Sequence, residues 1–270
     1  MPEGDILRRT AVTLSAALDG SVVVAAELRW PSVAAVDLSG RTILSTHSYG
    51  KHLFTRFDDG RTVHSHLRME GSWRLRPNTD TPTRASLASL ARNPFDRAVI
   101  ATEHWTAIGH RLGMLDVVPT RDEGTLIAHL GPDLLADDFP GVGLPEALRR
   151  FAEQGSTPVA EVLLDQRVVA GIGTIYMAES LFARRLWPWT PADQLADPAS
   201  LLMTARVLME RSVAAQHGTG SDNDPWVVRS VHGRRSRPCR RCGTPVVEGQ
   251  AGVPPMERPV FYCPACQRPD

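Results

Sequence analysis

Residues suited to chemistry by type and spacing lie at both ends of this 270-residue chain. All four cysteines fall in the last 32 residues, as Cys239-Arg-Arg-Cys242 and Cys263-Pro-Ala-Cys266, with twenty residues between the pairs. Two Cys-x-x-Cys hooks at that distance suit one tetrahedral Zn²⁺, each hook offering two thiolates from a tight knuckle. Gly243 and Pro264 follow as turn residues would. Two disulfides or a chance cluster are the alternatives; that every cysteine is used and none is left over favours the metal. An ion held by four thiolates has no position for water, so its role is structural.

The other end opens Met1-Pro2-Glu3-Gly4-Asp5. Methionine is normally removed before so small a residue, which would leave Pro2 with a free secondary amine. Such an amine can attack an electrophilic carbon and form an iminium, which a mid-chain proline cannot do. Glu3 beside it is placed to act as general acid or base on the same substrate atom. Many proteins begin this way without any such chemistry, so the pair needs support from elsewhere. A third segment, Leu163-Leu-Asp-Gln-Arg-Val-Val-Ala-Gly171-Ile172-Gly173-Thr174, reads as two helices flanking a Gly-x-Gly turn, with Thr174 capping the second. Backbone amides at that helix start form an anion site suited to a DNA phosphate; an ordinary helical hairpin with glycines for close packing is the equal alternative. Of 30 basic residues only one is lysine, Lys51. Its solitude points to a need for a compact, movable ammonium, although genome composition also explains an arginine bias.

The elements that must position these residues divide the chain. With 42% apolar residues, one large or two ordinary domains can bury a core. Formal charge is zero, yet from Trp226 onward eight arginines face three acids, leaving the remainder of the chain acidic. A basic segment beside a zinc site is the footprint of a phosphate-backbone ligand; a solvated basic tail is the alternative. No apolar run has the length of a membrane span and no signal-peptide stretch opens the chain, so a cytoplasmic, nucleoid-associated protein with reduced thiols is expected.

Ile6, Leu7, Thr10, Leu14 and Leu18 predict an amphipathic helix beginning near Asp5 as N-cap and ending at Gly20. Short β-rich runs follow at 21–28, 41–47, 52–57, 62–67, 72–75, 97–102 and 106–108, with Asp58-Asp59-Gly60 as a hairpin turn. They predict an antiparallel β-sandwich with one helix at its front, in an α+β protein. Gly131-Pro132-Asp133 and residues 137–143 read as a hinge. Beyond it the period is helical, at 145–153, 158–165, 175–184 and 198–216, and residues 217–225 read as a mobile loop. The expected division is 1–130, a hinge at 131–143, 144–225, and a finger at 226–270.

Three separated segments then coincide: Met1-Pro-Glu-Gly-Asp, the Gly-Ile-Gly turn, and Cys-x-x-Cys followed by Arg258-Pro-Val-Phe-Tyr-Cys263-Pro-x-Cys-Gln267. Together they resemble the formamidopyrimidine-DNA glycosylase / endonuclease VIII family over essentially the whole chain. The resemblance implies a catalytic β-sandwich, a helix–two-turn–helix domain with a zinc finger, and damaged DNA bound between them by a monomer. It implies a bifunctional glycosylase/AP lyase in which Pro2 attacks C1′ of the damaged nucleotide and Glu3 assists opening of the sugar ring. Lys51 matches the family lysine near the target phosphate and sugar, and Arg258 the finger arginine that grips phosphates. Cys239, Cys242, Cys263 and Cys266 match the zinc ligands. Met69, in His66-Leu-Arg-Met-Glu-Gly71, is the candidate wedge into the base stack, with Arg68 able to fill the gap; a Met69 buried in the sandwich core is the alternative.

The chain also departs from the family pattern. Thr174 stands where the family usually has a phosphate-binding asparagine, and Ile6 where a glutamate is frequent. An Asp-Pro-Arg-Arg-Phe-like strand end is missing. That absence, with Gly4 after Pro-Glu and Pro259 after Arg258, favours the endonuclease VIII branch and oxidised pyrimidines such as thymine glycol and dihydrouracil over 8-oxoguanine. A catalytically idle protein that binds damaged DNA is the other reading; a zinc-ribbon factor for transcription or RNA processing explains the cysteines alone.

Overall fold

The structure is a computed structural model and describes residues 2–80, 82, 93–215 and 229–269; the loop expected at 217–225 lies outside them. The described residues form two compact units, one of Pro2 with Ile6–Ala128 and one of Glu3–Asp5 with the chain from His129 onward.

Helix α1 (Gly4–Leu18) belongs to the first unit from Ile6 onward, and there it places Leu7, Ala11, Leu14 and Leu18 on one buried stripe. The helix stops where Gly20 takes φ +79°, a left-handed conformation suited to glycine. Eight antiparallel strands follow: β1 (Ala25–Leu28), β2 (Ile43–Tyr49), β3 (His52–Phe57), β4 (Arg61–His66), β5 (Ser72–Pro77), β6 (Asp96–Ala101), β7 (Trp105–His110) and β8 (Met114–Pro119). They make two four-stranded sheets, in the orders β1-β6-β7-β5 and β2-β3-β4-β8. Period-two alternation sends Leu53, Phe57, Val63, Leu115, Trp73 and Ile100 into a common core with the apolar stripe of α1. Helix α2 (Glu123–Ile127) is pinned to the second sheet by buried Glu123, which accepts hydrogen bonds from the Arg56 guanidinium and from the Thr62 hydroxyl.

The structure corrects two expectations here. Asp5 is not an N-cap: the helix begins one residue earlier, and the Asp5 carboxylate is buried. Strand β8 was also not anticipated. Its residues Met114, Asp116 and Val118 face away from the core opposite His66, His64 and Thr62, so its outward face is mixed in polarity and lacks a clean alternation.

The second unit contains α3 (Leu144–Ala152), α4 (Val159–Leu164), α5 (Thr174–Arg184) and α6 (Pro198–Ala214), preceded by a wide π-type turn at Phe139–Gly143. Asp197 caps α6 by accepting from the Ser200 amide, and Pro198 occupies the first turn. One core joins Phe139, Phe151, Leu163, Ile172, Met177, Leu181, Leu201 and Met209 with Val246, Val260 and Cys263 of the closing hairpin. That hairpin, β9 (Val247–Ala251) with β10 (Arg258–Tyr262), is therefore part of the helical unit's core. Gln267, fully buried, accepts from the Cys263 amide and donates to the Leu186 carbonyl, tying the last hook to the end of α5.

Phe57 is fully buried in the sandwich. Phe57→Ala is expected to destabilise the first unit by about 3–5 kcal/mol, read as a lowered urea midpoint of that unit's transition in tryptophan fluorescence.

Candidate active site and finger

The start of α5 is the most tightly constructed point of the second unit. Its N-cap is Gly173, with no side-chain cap, so the first amides would be left without acceptors. Glu3 supplies them: its carboxylate accepts from the amides of Gly173 at 2.8 Å, Ile175 at 2.7 Å and Tyr176 at 3.3 Å. The side chain is 1% exposed. Thr174 is thus the first helical residue and not the cap, and the amides read from sequence as a phosphate site are held by the protein's own carboxylate.

The Gly-Ile-Gly turn is what this seating requires. A Cβ on Gly173 would lie 2.4 Å from the Glu3 carboxyl carbon. Gly171 has φ +111°, and its carbonyl accepts from the Gly4 amide at 2.9 Å. A side chain on Gly4 would meet Met209 Cε at 2.9 Å and Gly171 Cα at 3.0 Å. One residue further, buried Asp5 accepts from the Tyr176 hydroxyl and the Ser212 hydroxyl, both at 2.6 Å. Burial, with the negative charge of Asp5, raises the Tyr176 phenol well above its usual range and keeps it a donor. Gly4 and Asp5, read from sequence as the beginning of a helix, therefore also hold Glu3 in register.

In the first unit Pro2 is half-buried. Lys51 occupies the tip of the β2–β3 hairpin, a two-residue loop with Gly50 at φ +54° closed by the Tyr49–His52 pair. The segment Leu67–Gly71 is a tight turn in which the Gly71 amide donates to the Leu67 carbonyl at 2.9 Å. Arg68 takes φ +54° there, and Met69, 65% exposed, projects from the tip rather than into the sandwich core. Lys51 and Arg68 are brought to one neighbourhood: burial, then the charges of Arg68 and Lys51, lower the His66 imidazole to about 4.

Two residues of this tip were missed in sequence. Arg111, at φ +47°, pairs with Glu70 and lies over the Phe95 ring at 4.5 Å, and Phe95 is itself exposed. Gly113 is needed beside them, since a Cβ there would strike the Arg68 side chain at 2.1 Å. The glycines flanking His110-Arg-Leu112 were the available signal.

In the finger, the four cysteine sulfurs lie within 4.8 Å of one another and all four are free thiols. Zn–S bonds of about 2.3 Å in a tetrahedron put sulfurs about 3.8 Å apart, and the Cys242 and Cys263 sulfurs are 3.5 Å apart. Burial and neighbouring thiols raise Cys263 and push Cys266 up to about 12, while hydrogen bonds from Thr244 bring Cys242 down to about 6. Thiols this close resist losing their protons together until a cation offsets the charge, and soft sulfur donors suit a zinc-like ion. Arg258 begins β10 opposite Ala251 and is exposed.

A helical hairpin that holds a carboxylate at its Gly-Ile-Gly turn, followed by a four-thiol finger, makes the second unit a helix–two-turn–helix domain. Residues 130–224 match the model of the formamidopyrimidine-DNA glycosylase H2TH domain and residues 1–104 that of the formamidopyrimidine-DNA glycosylase N-terminal domain. The chain is 41% identical over 272 residues to the probable endonuclease 8 2 of Streptomyces coelicolor, covering 99% of this chain and 94% of that one. It is 38% identical over 270 residues to the DNA-(apurinic or apyrimidinic site) lyase Nei2 of Mycolicibacterium smegmatis, covering 99% of each. Among solved structures, the MutM (Fpg) protein of Thermus thermophilus matches with TM-score 0.78 and 30% identity over 98% of each chain. The formamidopyrimidine-DNA glycosylase of Lactococcus lactis, crystallised with DNA containing an AP site, matches in fold with TM-score 0.80 at 21% identity, over 99% of this chain and 100% of that one. The chain belongs to the formamidopyrimidine-DNA glycosylase / endonuclease VIII family, on the endonuclease VIII side.

Gly173→Ala is expected to push Glu3 off its three amides and cost about 1–3 kcal/mol, seen as a lowered thermal midpoint of the second unit. An unchanged midpoint would show that the carboxylate can be seated elsewhere.

Proposed function

We propose that this chain is a bifunctional DNA glycosylase/AP lyase of base excision repair that removes oxidised bases, pyrimidines ahead of purines. The observation that carries this reading is the Glu3 carboxylate, immobilised by three amides next to the residue that would be the nucleophile. The endonuclease 8 and Nei2 names of its relatives support the same activity. In this reading residues 1–130 are the catalytic sandwich, 131–143 a hinge, 144–225 the helix–two-turn–helix domain and 226–270 the finger. The protein works as a monomer on chromosomal DNA in the cytoplasm; among the described residues no helix is long and apolar enough to cross a membrane.

The damaged nucleotide is turned out of the duplex. Met69, exposed on its tight turn, fills the vacated stack, and Arg68 lies beside it. The Pro2 amine attacks C1′ as the bond from C1′ to the base breaks. The proton lost from the nitrogen passes to Glu3, which delivers it to O4′ as the sugar ring opens and the iminium forms. Loss of a C2′ proton then breaks the 3′ carbon–oxygen bond, and a second elimination breaks the 5′ one, cutting the strand on both sides. Lys51 steadies the target phosphate, and Arg258 and the half-buried Thr174 side chain contact the flanking backbone. Cys239, Cys242, Cys263 and Cys266 hold one Zn²⁺, which supplies no chemistry and keeps the β9–β10 hairpin folded.

Incubation with abasic-site DNA and borohydride is expected to yield a covalent adduct, and its absence at high protein concentration would sink the reading. Retention of Met1 should abolish the adduct, while Glu3→Gln should impair base release more than trapping of a preformed abasic site. One equivalent of zinc should accompany the purified protein. Cys239→Ser should weaken DNA binding at least tenfold with the sandwich still folded, and full activity in metal-free protein would overturn the zinc assignment.

A further inference from the structure

The outer face of the sheet β2-β3-β4-β8 carries a set of histidines that neither the fold nor the proposed chemistry explains. His47, Phe54, His64 and His52 form a continuous ring stack, with centroid separations of 5.3, 4.9 and 5.1 Å and nearly parallel planes. His66 closes the set edge-on to His52 at 5.0 Å. Strand register alone places them: His52 stands opposite His66, Phe54 opposite His64, and His64 opposite Asp116.

Within the stack runs a directed hydrogen-bond chain. Asp116 Oδ2 lies 3.2 Å from His64 Nδ1, and His64 Nε2 lies 2.8 Å from His52 Nδ1. A carboxylate only accepts, so the Asp116 contact places the His64 proton on Nδ1. His64 is 1% exposed, and burial lowers its pKa, so it is neutral and Nε2 carries a lone pair. The short contact then requires the His52 proton on Nδ1. His66 is set in the opposite sense: its Nδ1 accepts from the Arg68 amide at 2.9 Å and so carries no proton.

Phenylalanine in place of His64 would satisfy the stack without the desolvation of two ring nitrogens. The polar chain has a different use, and its end shows what that is. His52 immediately follows Lys51 and forms the closing pair of the two-residue turn on which that lysine sits. We propose that Asp116, His64 and His52 form a relay that fixes the tautomer of His52 and so positions Lys51, making the three positioning residues for the abasic-site reaction. The catalytic part of this inference rests on the function proposed above; the geometric part does not.

Lys51 is the sole lysine, so selective lysine labelling yields one side-chain resonance. In the full-length zinc-loaded protein near neutral pH, ¹⁵N–¹H spectra of the imidazoles should show protons on Nδ1 of His64 and His52 and on Nε2 of His66. His64→Gln keeps an acceptor near the Nε2 position, whereas His64→Phe keeps only the ring. The lysine resonance should shift in His64→Phe and return to its wild-type position in His64→Gln. Single-turnover cleavage of abasic-site DNA should fall about tenfold or more in His64→Phe, the order expected from a small misplacement of a reacting group, and stay within about threefold of wild type in His64→Gln. A His52 proton on Nε2, an unmoved lysine resonance in His64→Phe, or equal losses in both variants would overturn the relay. A wild-type protein that neither traps nor cuts abasic DNA would overturn the function alone, since the imidazole and lysine spectra still decide the relay.

Discussion

A buried carboxylate at a helix start is the constraint on which much of the second unit depends. The first amides of α5 point at a site that solvent does not reach, and Glu3 is the group that satisfies them. Charge-assisted hydrogen bonds of this type are each worth roughly twice a neutral one, and the helix dipole adds to them. Their geometry leaves little slack: glycine lets the carboxylate approach at 173, takes the left-handed turn at 171, and at 4 lets the chain lie against the Gly171 backbone. Two residues on, Asp5 likewise has its buried carboxylate satisfied, by the Tyr176 and Ser212 hydroxyls. A short motif at one end of the chain and a glycine turn near residue 172 are thus two halves of one structure.

That relation also marks what was legible in the sequence. The four helices of the second unit are located from the sequence to within two residues at each end. Alternation likewise finds the sandwich strands that turn a clean apolar face to the core. It fails at β8, whose outward Met114, Asp116 and Val118 mix apolar and acidic residues. Local rules assign a short polar residue to a cap: at Thr174 the acceptor comes instead from 170 residues away, and at Asp5 the carboxylate is taken up by the Tyr176 and Ser212 hydroxyls. The histidine chain was illegible because it exists only through the register of three paired strands.

Charge in the finger shows the opposite limit, in which composition says too much. The arginine-rich tail looks uniformly available to an anionic polymer. In the structure Arg241 lies over the Phe182 ring at 4.1 Å and donates to the Phe182 carbonyl, and Arg234 donates to the Pro238 carbonyl. Part of the positive charge therefore fastens the finger to its own helix, and the count overstates what remains for a ligand. Trp189 adds a further fastening, its indole over Gly249 with Nε1 donating to the Gln250 carbonyl.

The separation between Glu3 and its amides has a consequence for the order of synthesis. A ribosome delivers the N-terminal segment first, and the turn whose amides donate to Glu3 only after about 170 further residues have been added. At roughly 5–20 residues per second, the carboxylate waits on the order of ten to thirty seconds before Gly173 and Tyr176 emerge. The sandwich strands can pair in that interval, but a nascent or truncated chain holds no assembled site. Only a chain translated past Ser212 closes the buried network around Asp5, so a fragment able to fold its sheets still lacks the seat that holds Glu3.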